Sequence, residues 1–93
     1  MIEFEWDSKK AALNLKKHGV AFEEAAQIFC DSCRIETYDG RENYGEDRFA
    51  TVGLVRSAVL HVLYTVRGKE RIRLISARKA TSDEKNRYGQ ANA

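Results

Sequence analysis

Residues 48–78 run RFATVGLV, RS, AVLHVLYTVR, GKE and RIRLISAR in succession, and the reading of this stretch decides the fold. Three segments rich in β-branched and aromatic residues, Arg48–Val55, Ala58–Arg67 and Arg71–Arg78, are separated by only two and three residues. Connections that short join neighbouring antiparallel strands, because a parallel return needs a long crossover. Arg56-Ser57 is the first turn and Gly68-Lys69-Glu70 the second. Side chains alternate along a strand, so Ile72 and Leu74 share one face while Arg71 and Arg73 share the other. Strict alternation returns Arg78 to the Ile72 face, unless a bulge or the strand end re-aims it.

Upstream of this stretch, the polar, glycine-punctuated segment Asp39–Asp47 reads as a loop and Arg34–Tyr38 as a short strand. The N-terminal third follows a helical period instead. Lys9–His18 places Ala11, Ala12 and Leu15 on one stripe, with Asp7 and Ser8 as candidate N-caps. Gly19 stops that helix behind Lys16, Lys17 and His18, which suit its negative end. A second helix from about Phe22 to Cys30 repeats the pattern with Phe22, Ala25, Ala26 and Phe29. Before both, Ile2, Phe4 and Trp6 alternate with Glu3 and Glu5 as a half-buried strand, and Trp6 is expected to pack between strand and helices. Downstream, Ser82 can cap a last helix from Asp83 to about Tyr88. The order β-α-α-β-β-β-β-α describes one α+β domain over residues 1–93, an antiparallel sheet with two N-terminal helices packed on one face. The other face is left open or partly covered by the last helix.

Composition narrows the function classes. No apolar run approaches the ~20 residues that cross a bilayer, and the acidic, alternating N-terminus is the opposite of a signal peptide, so the cytoplasm is the expected location. Cys30 and Cys33 form a lone C-x-x-C without a second cysteine pair or a βαβ setting, and are expected to be reduced and structural. There is no P-loop, dinucleotide-binding glycine fingerprint or nucleophile elbow, and Asp7, Glu46 and Asp47 form no recognisable metal cluster. Neither a cofactor nor a metal is expected. The net charge of +2 conceals an asymmetry. Residues 1–47 carry six Lys/Arg against eleven Asp/Glu, a net of −5, while residues 48–93 carry ten against three, a net of +7. A basic half of this kind suits a polyanion, although a fold can also intersperse such charges in space.

Several residues could carry chemistry. Arg67, Arg71 and Arg73 cluster around one hairpin, and guanidinium forks match phosphate in a bidentate way. A solvated strand edge protected by charge would look the same. His18 is more simply a helix-end cap than a catalyst, and His61, between Leu60 and Val62, more simply a packed strand residue. Glu46 and Arg48 fit an acid–base pair or a surface salt bridge equally well. Arg78, at a strand end, is expected to contribute modestly to folding.

Linked motifs carry the reading further. Phe4-x-Trp6-Asp7, Lys10, Asn14, Lys17-His18-Gly19-Val20 and Phe22-Glu23-Glu24-Ala25 closely resemble the opening of the BrnT toxin family. Gly45-Glu46-x-Arg48, Gly53, Thr65-x-Arg67-Gly68 and Arg73-x-Ile75-Ser76-Ala77-Arg78-x-Ala80 extend the resemblance over nearly the whole chain. Ser8 stands where the family often has proline, and Ala21 where a polar cap is usual, which weakens the start of the second helix.

The resemblance implies a RelE-like fold and a ribonuclease toxin of a type II toxin–antitoxin system that inhibits translation and growth. It also implies a ribbon-helix-helix antitoxin of the BrnA kind as partner, with operator DNA contacted only through that antitoxin. In RNA cleavage by the ribose 2′-OH, without metal, a base takes the 2′ proton, cations stabilise the phosphorane charge and an acid protonates the leaving oxygen. Arg48, Arg67 and Arg78 are the candidate cations, and Glu46 or His18 the candidate base. Lys10, Lys17, Arg71 and Arg73 are the candidate RNA-backbone contacts. The competing reading is a non-catalytic nucleic-acid-binding or transcription-regulating module, which keeps the arginines and needs no base.

Overall fold

The computed structural model describes residues 2–39 and 45–93. In chain order its elements are β1 (Glu3–Glu5), α1 (Ser8–His18), α2 (Phe22–Ala25), a 3-10 segment (Ala26–Cys30), β2 (Ile35–Asp39), β3 (Arg48–Val55), β4 (Ala58–Arg67), β5 (Arg71–Lys79) and α3 (Ser82–Ala91). The loop expected over Asp39–Asp47 lies, for residues 40–44, outside the described residues.

Five strands form one sheet in the order β1-β5-β4-β3-β2. The hairpins fall where the short connections put them, with Val55 opposite Ala58 and Arg67 opposite Arg71. Arg56 takes a left-handed φ of 55° and Gly68 one of 66°, the backbone sign that tight hairpin turns require. The α+β class and the helix-covered sheet are as expected, but the sheet is mixed, not wholly antiparallel. β1 lies parallel to β5, with Glu3 beside Arg71 and Glu5 beside Arg73. That register sets acid against base: Glu5 accepts from Arg73 at 2.6 Å and lies 3.3 Å from Arg71 Nε, and Glu3 is 3.5 Å from Arg71 Nη2.

One face of the sheet buries Leu60, Val62, Tyr64, Ile72, Leu74 and Ala77 against Phe22, Ala25 and Ile28. Trp6, partly buried against the core, meets Phe22 of α2 edge-on at 5.9 Å. The second helix is shorter than its stripe suggests. Its N-cap, Ala21, offers no side-chain acceptor, and after four residues the chain tightens into the 3-10 segment, which buries Ile28. Gly53 makes that approach possible: a Cβ there would lie 2.8 Å from Ile28 Cγ1 and 3.0 Å from Arg34 Cβ.

The stripe expected on α1 is corrected. Leu13 and Leu15 are exposed, and the buried residue is Asn14. Its Nδ2 donates to the carbonyls of Val20 (3.0 Å) and Ala77 (2.8 Å), and its Oδ1 accepts from the Ala77 N–H at 3.0 Å. Past its pairing with β1, β5 has an open edge, and Asn14 satisfies both backbone groups there as a neighbouring strand would. Polar fixation, which a hydrophobic count does not see, therefore holds α1.

The cap of the last helix is Thr81, not Ser82. Thr81 Oγ1 accepts from the Glu84 N–H while Glu84 Oε1 accepts from the Thr81 N–H at 2.8 Å, a reciprocal capping box. α3 runs on to Ala91 and lies against β3 on the face opposite α2. Tyr88 ties it down by donating to Asp31 at 2.6 Å, and Asn92 donates to the Cys33 carbonyl at 3.0 Å. Burial pushes the Asp31 carboxyl up, but hydrogen bonds from the Leu54 N–H, the Tyr88 hydroxyl and the Cys33 N–H outweigh it and leave the group more acidic than usual. None of the described helices is long and apolar enough to cross a membrane.

Candidate nucleic-acid interface

A bulge decides which way the last strand presents its cations. Tyr64 pairs with Leu74 but Leu63 pairs with Ser76, so Ile75 is the extra residue. Beyond it the alternation reverses, burying Ala77 with Ile72 and Leu74 and turning Arg78 to the face that carries Arg71 and Arg73. Thr65, Leu63 and His61 of β4 and Arg48 and Ala50 of β3 share that face.

Two polar groups occupy it besides the arginines paired with β1, and a third borders it at β5. At one end Glu46 lies between two arginines, with Arg67 Nη2 at 3.4 Å and Arg48 Nη2 at 3.6 Å. The neighbouring residue is anchored twice. Thr65 donates its hydroxyl to the Asp47 carbonyl, and Tyr38 donates to Asp47 Oδ1 at 3.0 Å. Arg67 remains half exposed, so the cluster opens to solvent.

At the other end Arg78 grips Glu84 with both nitrogens of its fork, at 2.8 and 3.0 Å. Glu84 is 9% exposed, and His61 Nε2 lies 3.9 Å from its second oxygen. The hydrogen bond from Arg78 is the main reason the Glu84 carboxyl is held down to about 2, helped by the Thr81 N–H and the nearby His61 against the opposing effect of burial. Around this pair runs a cleft of about 290 Å³, lined by Thr37, Asp39, Ala50, His61, Arg78, Glu84 and Arg87 among others. The third group is Lys10, Lys17 and His18, which line a shallow pocket beside the bulged Ile75-Ser76.

The structure thus brings Arg48, Arg67 and Glu46 together. Arg78 stands apart from them: His61, its cross-strand partner, is four residues along β4 from Thr65, on the order of 13 Å at ordinary strand rise. His18 sits with Lys10 and Lys17 on the α1 side of β5, away from Glu46. Arg71 and Arg73 lie on the same face but are ion-paired with β1. Cys30 and Cys33 are free thiols as expected, but they are exposed instead of packed. Among the described residues no three His, Cys, Asp or Glu side chains converge.

Sequence reading missed two members of the face. Glu84 was legible as the fourth residue of Thr81-x-x-Glu84, a capping-box pattern, but not as the holder of Arg78. Arg87 carried no signal beyond its charge.

Comparison with known proteins bears on the family and the fold. Residues 6–84 match the model of a family described as the ribonuclease toxin, BrnT, of type II toxin–antitoxin systems. Among solved structures, the ribonuclease toxin BrnT of Brucella abortus, a crystal structure at 1.1 Å resolution, is similar with a TM-score of 0.68 and 23% identity. The alignment covers 88% of this chain and 100% of that one, and at that identity it speaks for the fold. A search of curated proteins gave no match.

Proposed function

Because the chain belongs to the BrnT family of ribonuclease toxins of type II toxin–antitoxin systems, we propose that residues 1–93 act as one endoribonuclease domain that cleaves RNA and arrests growth. The observation that carries this reading is the partly exposed Glu46 carboxylate set between the Arg48 and Arg67 guanidiniums. Two fixed cations can hold a phosphate, and a carboxylate between them can take a proton from the adjacent ribose 2′-OH. The 2′ oxygen then bonds to phosphorus, the P–O5′ bond breaks, and O5′ leaves with a proton, giving a 2′,3′-cyclic phosphate and a 5′-hydroxyl. The arginines counter the charge that develops on the phosphorane oxygens, where a single preorganised donor is typically worth ~10²–10³ in rate.

Glu46 is favoured over His18 as base because it stands with the candidate cations, whereas His18 stands with Lys10 and Lys17. These three, with Arg78 and the partly neutralised Arg71 and Arg73, are assigned to the path of the RNA backbone across the same face. A type II system implies a protein antitoxin. We assign that partner to the BrnA-like ribbon-helix-helix class, with operator DNA contacted through it and the pair working in the cytoplasm.

Expression of the wild type and Glu46→Gln, with and without the antitoxin, tests the reading. Growth arrest and RNA fragmentation should appear with the wild type alone, and Glu46→Gln should lose ~10²-fold or more of the cleavage. RNA binding without fragments under all conditions would instead support a non-catalytic nucleic-acid-binding module.

A further inference from the structure

The cleft under α3 is a second place where chemistry-bearing side chains converge, and of its lining only Arg78 enters the cleavage reading. Five elements build it: Thr37 and Asp39 from β2, Ala50 from β3, His61 from β4, Arg78 from β5, and Glu84 and Arg87 from α3. Thr37 is the cross-strand partner of Ala50, whose methyl leaves the floor low between larger neighbours. Glu84 and Arg87 are three residues apart on α3, so both point at the sheet. Arg78 is a fixed wall because Glu84 holds its fork. Arg87 differs, since among the described residues none pairs with it. His61 presents an imidazole backed by the Glu84 carboxylate at 3.9 Å.

We propose that this cleft is a nucleotide subsite of the RNA substrate, in which Arg87 takes a phosphate and His61 and Thr37 contact the attached nucleoside. The inference rests on the RNA-cleavage reading and adds to it where a neighbouring unit of the same strand binds. Its volume of about 290 Å³ suits one nucleotide, at the lower end of small-molecule sites, which run ~300–1,000 Å³. The lining offers a cation for phosphate together with donors and acceptors for base edges and ribose hydroxyls, the combination that RNA recognition uses. The cleft shares its sheet face with Glu46, Arg48 and Arg67: its His61 lies on the order of 13 Å along β4 from that cluster, while its Asp39 is the cross-strand partner of Arg48. One strand can therefore occupy both. His61 and Arg87 are then specificity-determining contacts outside the reacting centre.

Titration of the labelled full-length protein with adenosine and guanosine 5′-monophosphates, followed by NMR at the His61 ring and the Arg87 side chain, tests this without requiring turnover. Saturable shifts at both residues, with inorganic phosphate binding at least roughly tenfold more weakly, are expected. Equal affinity for inorganic phosphate, or shifts confined to other residues, would overturn the proposal. Kinetics provide the second arm. Arg87→Ala and His61→Gln should each raise KM for RNA roughly tenfold while kcat stays within about twofold, the pattern of lost ground-state binding. Glu46→Gln should lower kcat instead. A fall in kcat with unchanged KM in the Arg87 variant would also overturn the subsite. Absence of cleavage by the wild type refutes the ribonuclease reading, while the nucleotide titration still decides whether the cleft binds.

Discussion

Truncating Arg78 should unfold this protein more readily than a strand-end arginine on a surface would. Both nitrogens of its fork are engaged by Glu84, whose side chain is only 12% exposed. In Arg78→Ala that carboxylate keeps the Thr81 N–H and the nearby His61 but loses its principal partner. Stranding a fully buried ion costs ~3–5 kcal/mol, and because Arg78 is itself about one-third exposed we expect ~2–3 kcal/mol. The Glu84 carboxyl provides a second estimate. Its folded-state value is lowered from 4.5 to about 2, so the stabilisation is fully present above the unfolded value and is lost as pH falls through 4.5 towards 2. Linkage converts a shift of that size to roughly 3 kcal/mol, an upper bound for Arg78 because the Thr81 N–H and His61 share in the lowering. Urea unfolding at pH 7 and pH 2.5 should therefore show a large gap between wild type and Arg78→Ala at neutral pH and a much smaller one in acid. Arg78→Lys should recover part of the loss, because an ammonium restores the charge but not the fork. An unchanged midpoint for Arg78→Ala at pH 7 would refute the reasoning and return this residue to the surface role its strand-end position suggests.

Asn14→Ala should cost ~2–4 kcal/mol in thermal or urea unfolding, since it removes three hydrogen bonds and leaves the Ala77 backbone groups without a partner. Gly53→Ala should cost ~1–3 kcal/mol, because a methyl 2.8 Å from Ile28 forces the 3-10 segment off the sheet. A stability within error of wild type would mean the segment yields freely. Glu5→Gln should leave stability within ~1 kcal/mol. It should also tighten RNA binding and steepen its salt dependence by about one ion, because Arg73 is released. Weaker binding would show that Arg73 faces away from the RNA.

The strands from Arg48 onward were legible because period-2 burial and two very short connections leave one pairing scheme. Less legible were features held by polar contacts between distant parts of the chain. Asn14 looks like any helix surface residue until its bonds to Ala77 are seen, and the parallel seat of β1 depends on acids 68 residues from their arginines. The grouping of Arg48 with Arg67 and the separation of Arg78 follow from strand register, but the ion pair that holds Arg78 required the position of α3 and its capping glutamate. The turn of Arg78 towards that face depended on a bulge at Ile75, which the alternation raised as a condition and could not locate.

The most direct test of the ribonuclease claim is the chemistry of the ends that the purified toxin produces. RNA, both free and loaded on translating ribosomes, is incubated in EDTA with the wild type and with Glu46→Gln, and the fragment termini are identified by mass. The wild type should give fragments ending in 2′,3′-cyclic phosphate with 5′-hydroxyl partners. Glu46→Gln, with an unchanged melting temperature, should give them ~10²-fold or more slowly. Intact RNA on both substrates at stoichiometric toxin, or fragments carrying 5′-phosphates, would contradict cleavage by the ribose 2′-OH.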